Sequence, residues 1–110
     1  MIVASRTLKL RRGAGDADVA VRIFTPRQGE DSWSCDYEIG WPEGTRRGTA
    51  NGFDSVQALL VALNFIGSEL YTSDYHKAGS LAFADSWKGY GFPVPQNLRD
   101  LLIGDDAKYF

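Results

Sequence analysis

Apolar and polar residues alternate strictly from Ser32 to Trp41. Trp33, Cys35, Tyr37, Ile39 and Trp41 fall on one side, and Ser32, Ser34, Asp36, Glu38 and Gly40 on the other. A period of two marks a strand with one buried face, and a single solvated face points to an antiparallel sheet. Ile2 to Arg11 alternates too, with Ile2, Ala4, Leu8 and Leu10 on the inner side. Gly13, Gly15 and Asp16 make a turn. Ala17 to Thr25 turns Val19, Val21 and Ile23 inward, and Pro26 closes that strand. Arg27 to Asp31 is polar, contains Gly29 and reads as a loop. Past the Pro42-Glu43-Gly44 turn, Thr45 to Phe53 is a weak fourth strand whose Gly48 and Gly52 suit a sheet edge or a bulge.

The period then changes. Asp54 to Tyr71 is the one strongly helical segment, with Asp54 as N-cap and Gln57 three residues on, as in a capping box. Val56, Leu59, Leu60, Leu63, Ile66, Gly67 and Leu70 form a stripe at helical spacing, expected to lie on the sheet. Leu81 to Ala84 reads as a short strand or turn, Gly89 to Pro95 as a loop, and Leu98 to Ile103 as a short helix capped by Asn97 and stopped by Gly104. Asp105 to Phe110 reads as a tail. The expected fold class is α+β: a four-stranded antiparallel meander with one long helix packed on one face and a short C-terminal helix. A chain of 110 residues is near the common domain size, so a single domain over 1–110 is expected.

The helix is greasy beyond that stripe. Ala58, Val61, Ala62 and Phe65 are left over, and Val61 and Phe65 need cover from the C-terminal third or from a second copy of the chain. These four are the interface candidates, with the two alanines allowing close approach.

Charge narrows the partners. The net charge is −2, and the early basic residues, Arg6 to Arg47, are interleaved with acids. Phosphate neutralisation needs clustered Lys and Arg, so no nucleic acid is expected; mixed signs on strands make cross-strand ion pairs on a solvated face. The longest apolar run, Ala58 to Leu63, is too short to span a bilayer, so no membrane is expected. Cys35 is the only cysteine, which fits a reducing cytoplasm; on an apolar strand face it acts as a small hydrophobe.

Candidate chemistry gathers around the only histidine. Asp74, Tyr75, His76 and Lys77 stand together just past the long helix, and Tyr90 lies in the glycine loop. A neutral-pH general base is most often histidine, so these five are the candidate ligand-binding residues. The plainer alternative is a histidine favoured at a helix C-terminus by the dipole and the free carbonyls. No nucleophile stands at a recognisable spacing, so no catalytic residue is assigned. One His and one Cys make a poor metal set, and neither metal nor cofactor is expected. The row Trp33, Tyr37 and Trp41 reads as core under a helix, with Trp41 partly exposed. The loop at Gly89 and Gly91 lacks the G-x-x-x-x-G-K pattern of a phosphate cradle; it reads as a rigid loop packed on the body or a recognition edge.

Five motifs carry a resemblance over nearly the whole chain. They are Ala4-Ser-Arg-Thr-Leu8, Trp33-Ser-Cys-x-Tyr37-Glu-Ile-x-Trp41-Pro, Gly52-Phe-Asp54-Ser-Val-Gln57-Ala-Leu-Leu60, Tyr71-Thr-Ser-Asp-Tyr75-His-Lys and Gly89-Tyr-Gly-Phe-Pro93. In these the chain resembles a family of small bacterial proteins catalogued only as a domain of unknown function. The resemblance implies a self-contained domain and brings no activity or site residue.

Three functions are weighed. The leading one is a non-enzymatic protein-interaction module, a homodimer, because greasy helix surface is left over and catalytic groups are absent. The alternative is a small-molecule binder or weak enzyme with a polar pocket around His76. A further alternative is an inhibitor or immunity-type protein, since the half from Asp54 onward carries seven acids against four bases.

Overall fold

The long strands in this computed structural model of residues 1–110 are β1 (Ile2–Leu10), β2 (Ala17–Phe24), β4 (Trp33–Trp41) and β5 (Gly44–Gly52); alternation places the first three, and the last lies where the weak strand from Thr45 to Phe53 is expected. The sheet has six strands rather than four, because β3 (Arg27–Gln28) and β6 (Leu81–Ala82) add two residues each. All pairings are antiparallel, and the order is β6-β1-β2-β4-β5. Arg27 and Gln28 pair with Ser34 and Trp33, on the edge of β4 that β2 occupies further along. Pro26 lacks an N–H and interrupts that ladder, so a segment read as loop resumes pairing once the proline is passed.

Helix α1 (Ser55–Tyr71) starts as its capping signal dictates: Asp54 Oδ1 accepts from the Gln57 N–H at 2.8 Å, and Gln57 Oε1 accepts from the Phe53 N–H at 2.5 Å. The helix lies over β4 and β5. Its rotation differs from the sequence expectation. The buried stripe is Ala58, Ala62, Ile66 and Leu70, with Gly67 and Tyr71 beside it. Ala58 and Ala62 are fully buried and belong to the core, not to a free interface, while Val56 and Leu60 are 63% and 52% exposed. The reason is close approach: a Cβ on Gly52 would lie 2.2 Å from the Ala58 nitrogen. Only small side chains fit where β5 and the helix start nearly touch, so the bulky leucines rotate off the centre. Leu59, Val61 and Leu63 are half-buried at its flanks.

Because α1 covers one half of the sheet, the other half needs a second cover. Tyr90, Phe92, Val94 and Leu102 supply it and join Leu8, Leu10, Val19 and Val21 in a single cluster of 19 buried residues. The loop crosses the helix at Gly67, where a Cβ would stand 1.8 Å from the Pro93 carbonyl oxygen. The C-terminal elements also differ from expectation. The short helix is a 3-10 turn at Gln96–Leu101, and the expected tail is helix α3 (Gly104–Tyr109). Gly104, read as a stop, is the first residue of α3; Asp105 and Asp106 in its first turn suit the positive end of the helix dipole.

The outer face of the sheet is solvated, as mixed charge predicts. Glu38 pairs with Arg47 at 2.8 Å, Lys9 with Asp18 at 2.5 Å, and Asp36 with Arg27. Such surface pairs, screened by solvent, add little to stability. No helix is long and apolar enough to cross a membrane.

Candidate functional site

Residues past α1 fold into a second short helix, α2 (Asp74–Lys77), whose N-cap Ser73 accepts from the His76 N–H at 3.1 Å. That turn carries the His76 ring inward. Its Nδ1 is hydrogen-bonded to the Tyr90 hydroxyl, and its centroid lies 4.9 Å from Tyr71 and 5.5 Å from Tyr90, edge-on to both. Burial lowers the His76 pKa, so the neutral ring is favoured. The Tyr90 hydroxyl is pushed up to about 12, first by burial and then by the negative charge of Asp106. Burial, then the bond to Asp106, raises Tyr71 as well.

Asp106 is the residue that sequence reasoning missed. It is fully buried and accepts from the Tyr71 hydroxyl at 2.5 Å, the Trp87 indole N–H at 2.7 Å, and the Tyr90 and Gly91 amides at 2.7 and 2.8 Å. Gly89 makes room for it: a Cβ there would sit 2.5 Å from Asp106 Cγ, and the backbone φ of +107° favours glycine independently. Arg6 completes the frame, donating to the Tyr90 and Gly91 carbonyls at 3.0 and 2.8 Å while its guanidinium lies over the rings of Phe83 and Phe92. Two signals foretell Asp106: an acid pair just after a glycine, which suits a helix start, and a tryptophan and a tyrosine that need partners once buried. No buried side-chain nitrogen or oxygen lacks a partner. A carboxylate holding four donors organises backbone; it offers no free base to a substrate.

The five candidate ligand-binding residues do not converge. His76 and Tyr90 meet inside the protein, whereas Lys77 is exposed. Asp74 and Tyr75 line an open cleft of about 460 Å³ with Trp41, Glu43 and Glu69. There the Tyr75 ring stacks on Trp41 at 5.2 Å and its hydroxyl donates to Glu43 at 2.7 Å, which holds the Glu43 carboxyl below its ordinary value. Glu69 is held by the Tyr37 hydroxyl and by Arg46 at 2.9 Å. No group of three or more His, Cys, Asp or Glu side chains converges on a point where a metal would sit.

The most apolar concavity lies elsewhere. A groove of about 520 Å³ runs between β1 and α1, lined by Ala4, Ile23, Leu60, Leu63, Phe92 and Pro93 among others. Ile2, Val3, Val56 and Leu60 are exposed apolar residues on the elements that form its walls. Of the interface candidates, Phe65 is 41% exposed and lines a separate shallow hollow with Tyr37 and Arg46; Val61 is half-buried against the core.

A family profile described as a domain of unknown function (DUF6968) matches residues 4–94. The chain belongs to this family. No curated protein and no solved structure matches it. The DUF6968 span takes in the sheet, α1, the His76 turn and the Gly89–Gly91 loop, and the carboxylate that fills that loop lies beyond it. Membership in DUF6968 brings no activity with it, so a function rests on the groove, the cleft and the buried network themselves.

Proposed function

We propose that this DUF6968 chain is a non-enzymatic interaction module that pairs with a second copy of itself through the groove between β1 and α1. One observation carries this: the groove, lined by Ala4, Ile23, Leu60, Leu63, Phe92 and Pro93, is apolar surface that the chain leaves uncovered, and β1 and α1 also expose Ile2, Val3 and Val56. Arg6 is the one charged side chain lining the groove, and it is engaged with the Tyr90 and Gly91 carbonyls. Two copies therefore meet there without like charges facing each other, and apolar surface on each covers that of the other in a self-complementary contact.

The alternative, a ligand pocket built on His76, draws less support. The His76 ring faces Tyr90 rather than a cavity, and Asp74 and Tyr75 face a different surface. The inhibitor alternative rests on charge alone, and the acidic cleft adds only a mild focus to it. A cytoplasmic setting goes with the lone buried thiol of Cys35.

Light scattering across a concentration series tests the pairing. The wild type is expected as a dimer at high micromolar concentration and Leu60→Glu as a soluble, folded monomer. A wild type that stays monomeric sinks the proposal. Phe65→Glu, on the other flank of α1, is the control and leaves the dimer intact.

A further inference from the structure

The Asp106 carboxylate is held two and two. Its Oδ2 accepts from the Tyr71 hydroxyl and the Tyr90 N–H, and its Oδ1 from the Trp87 indole N–H and the Gly91 N–H. A carboxylate offers two oxygens and about four lone-pair sites, so a planar anion fits this cradle and a round one such as chloride does not. Three of the four partners are N–H groups, which only donate, so the cradle favours the ionised form.

The cradle has supports of its own. The peptide unit between Tyr90 and Gly91 turns its carbonyl to Arg6 and its N–H to Asp106. Arg6 also holds the Gly91 carbonyl, so a cation on β1 fixes the loop and polarises one of the four donors toward an anion. His76 fixes the Tyr90 hydroxyl, and the Trp87 backbone N–H donates to the Ala84 carbonyl at 3.2 Å. These supports and all four donors lie within the residues matched to DUF6968, whereas Asp106 lies beyond them.

The helix that fills the cradle is lightly anchored. Asp106 is the one buried residue of α3, and Leu102 is the last buried apolar residue before it. The other ties of α3 run to exposed residues. Asp105 is bonded to the Lys88 N–H at 2.7 Å and to its carbonyl at 2.8 Å, Arg99 reaches the Phe110 carbonyl, and the Tyr109 ring stacks on Trp87 while 62% exposed. A helix held by one carboxylate, and not by an apolar stripe, leaves by local opening without unpacking the core. We infer that the cradle is a binding site for an outside carboxylate and that α3 is its stopper: when α3 lifts, a free carboxylate or an acidic side chain on another chain takes the place of Asp106. This site stands apart from the groove pairing and does not depend on it.

Asp106→Ala in the full-length chain empties the cradle and tests it. Sodium formate, against sodium chloride at equal ionic strength, probes for a free carboxylate. A peptide copying Ile103 to Phe110, amidated at its C-terminus, probes for an acid carried on a chain. Binding is expected to raise the melting temperature of the variant saturably and to move the Trp87 indole N–H resonance back toward its wild-type position. A response to formate, to the peptide or to both supports the inference and tells which source the site accepts; a response to neither overturns it. Asp106→Asn keeps the space filled and is the control, expected to respond to neither probe. Should Asp106→Ala fail to fold in chloride, folding restored by formate or by the peptide is the same readout. The stopper is tested in the wild type. The Tyr90 and Gly91 amides, both bonded to Asp106, are expected to exchange about tenfold or more faster than those of Val21 and Ile39 in the sheet. Equal rates mean that α3 leaves only when the whole chain unfolds, and overturn the stopper.

Discussion

The Tyr71 hydroxyl donates to Asp106 Oδ2 at 2.5 Å and ties the last turn of α1 to the first turn of α3 across 35 positions of sequence. Three more donors converge on the same carboxylate, from Trp87, Tyr90 and Gly91. Asp106→Ala strands several of these in an apolar interior, and each unsatisfied donor costs about 1–3 kcal/mol. A loss of about 3–5 kcal/mol is therefore expected in urea unfolding. A loss below about 1 kcal/mol would mean that the network does not hold the C-terminal segment down.

Helix rotation makes a second prediction. Ala62 is fully buried in the stripe under which the sheet lies, while Leu60 is half exposed. Ala62→Leu overpacks the core and should cost about 1–3 kcal/mol. Leu60→Ser should stay within about 1 kcal/mol in dilute solution, as exposed sites do. Reversed magnitudes in thermal unfolding would restore the helix orientation expected from sequence.

At Gly67 two effects compete. Alanine in a helix interior gains about 1 kcal/mol over glycine. Here the new methyl would meet the Pro93 carbonyl at 1.8 Å and push the C-terminal cover off the helix. Overpacking of this kind costs about 1–3 kcal/mol, and it wins because the clash is with backbone. Gly67→Ala should lower the melting temperature; a rise would show that the loop yields freely.

His76 supplies the pH dependence. Burial depresses its folded pKa below the ordinary value of 6.5, so the unfolded chain binds the proton more readily. Its contribution to stability is full above that value and declines as pH falls from it toward the lower folded pKa. Protonation also leaves Nδ1 a donor only, so the bond to Tyr90 then requires the hydroxyl to accept. A ring-proton titration by NMR should give a midpoint below 6.5, simple to assign because His76 is the only histidine. The wild type should lose stability in that window, and His76→Gln should lose less. A midpoint at or above the ordinary value contradicts the buried, neutral ring.

How much of this was legible depends on the kind of signal. Alternation wrote out the first three long strands, and Asp54 with Gln57 wrote out the helix start, because both are local patterns. Helix rotation was illegible because Leu59, Leu60 and Leu63 outweigh two alanines in any hydrophobicity count, whereas Gly52 dictates that alanine, not leucine, meets the sheet. β3 is two residues long, shorter than any periodicity can reveal, whereas β6 lies inside the Leu81 to Ala84 stretch read as a short strand or turn. The candidate residues scatter for a related reason. Asp74 to Lys77 are neighbours in sequence, but one helical turn spreads four side chains to different sides, and His76 finds Tyr90 rather than its neighbours. Asp106 was hidden because its partners, Tyr71, Trp87, Tyr90 and Gly91, are all remote in sequence.

The split covering of the sheet bears on the order in which the chain matures as it leaves the ribosome. Strands β4 and β5 meet α1 as soon as residue 71 emerges, whereas Leu8, Leu10, Val19 and Val21 wait for the segment around Tyr90 and Phe92. During that interval one flank of the nascent sheet stands bare. Synthesis is vectorial and slow compared with local folding, so this interval is when the chain is most exposed to sticking to its neighbours.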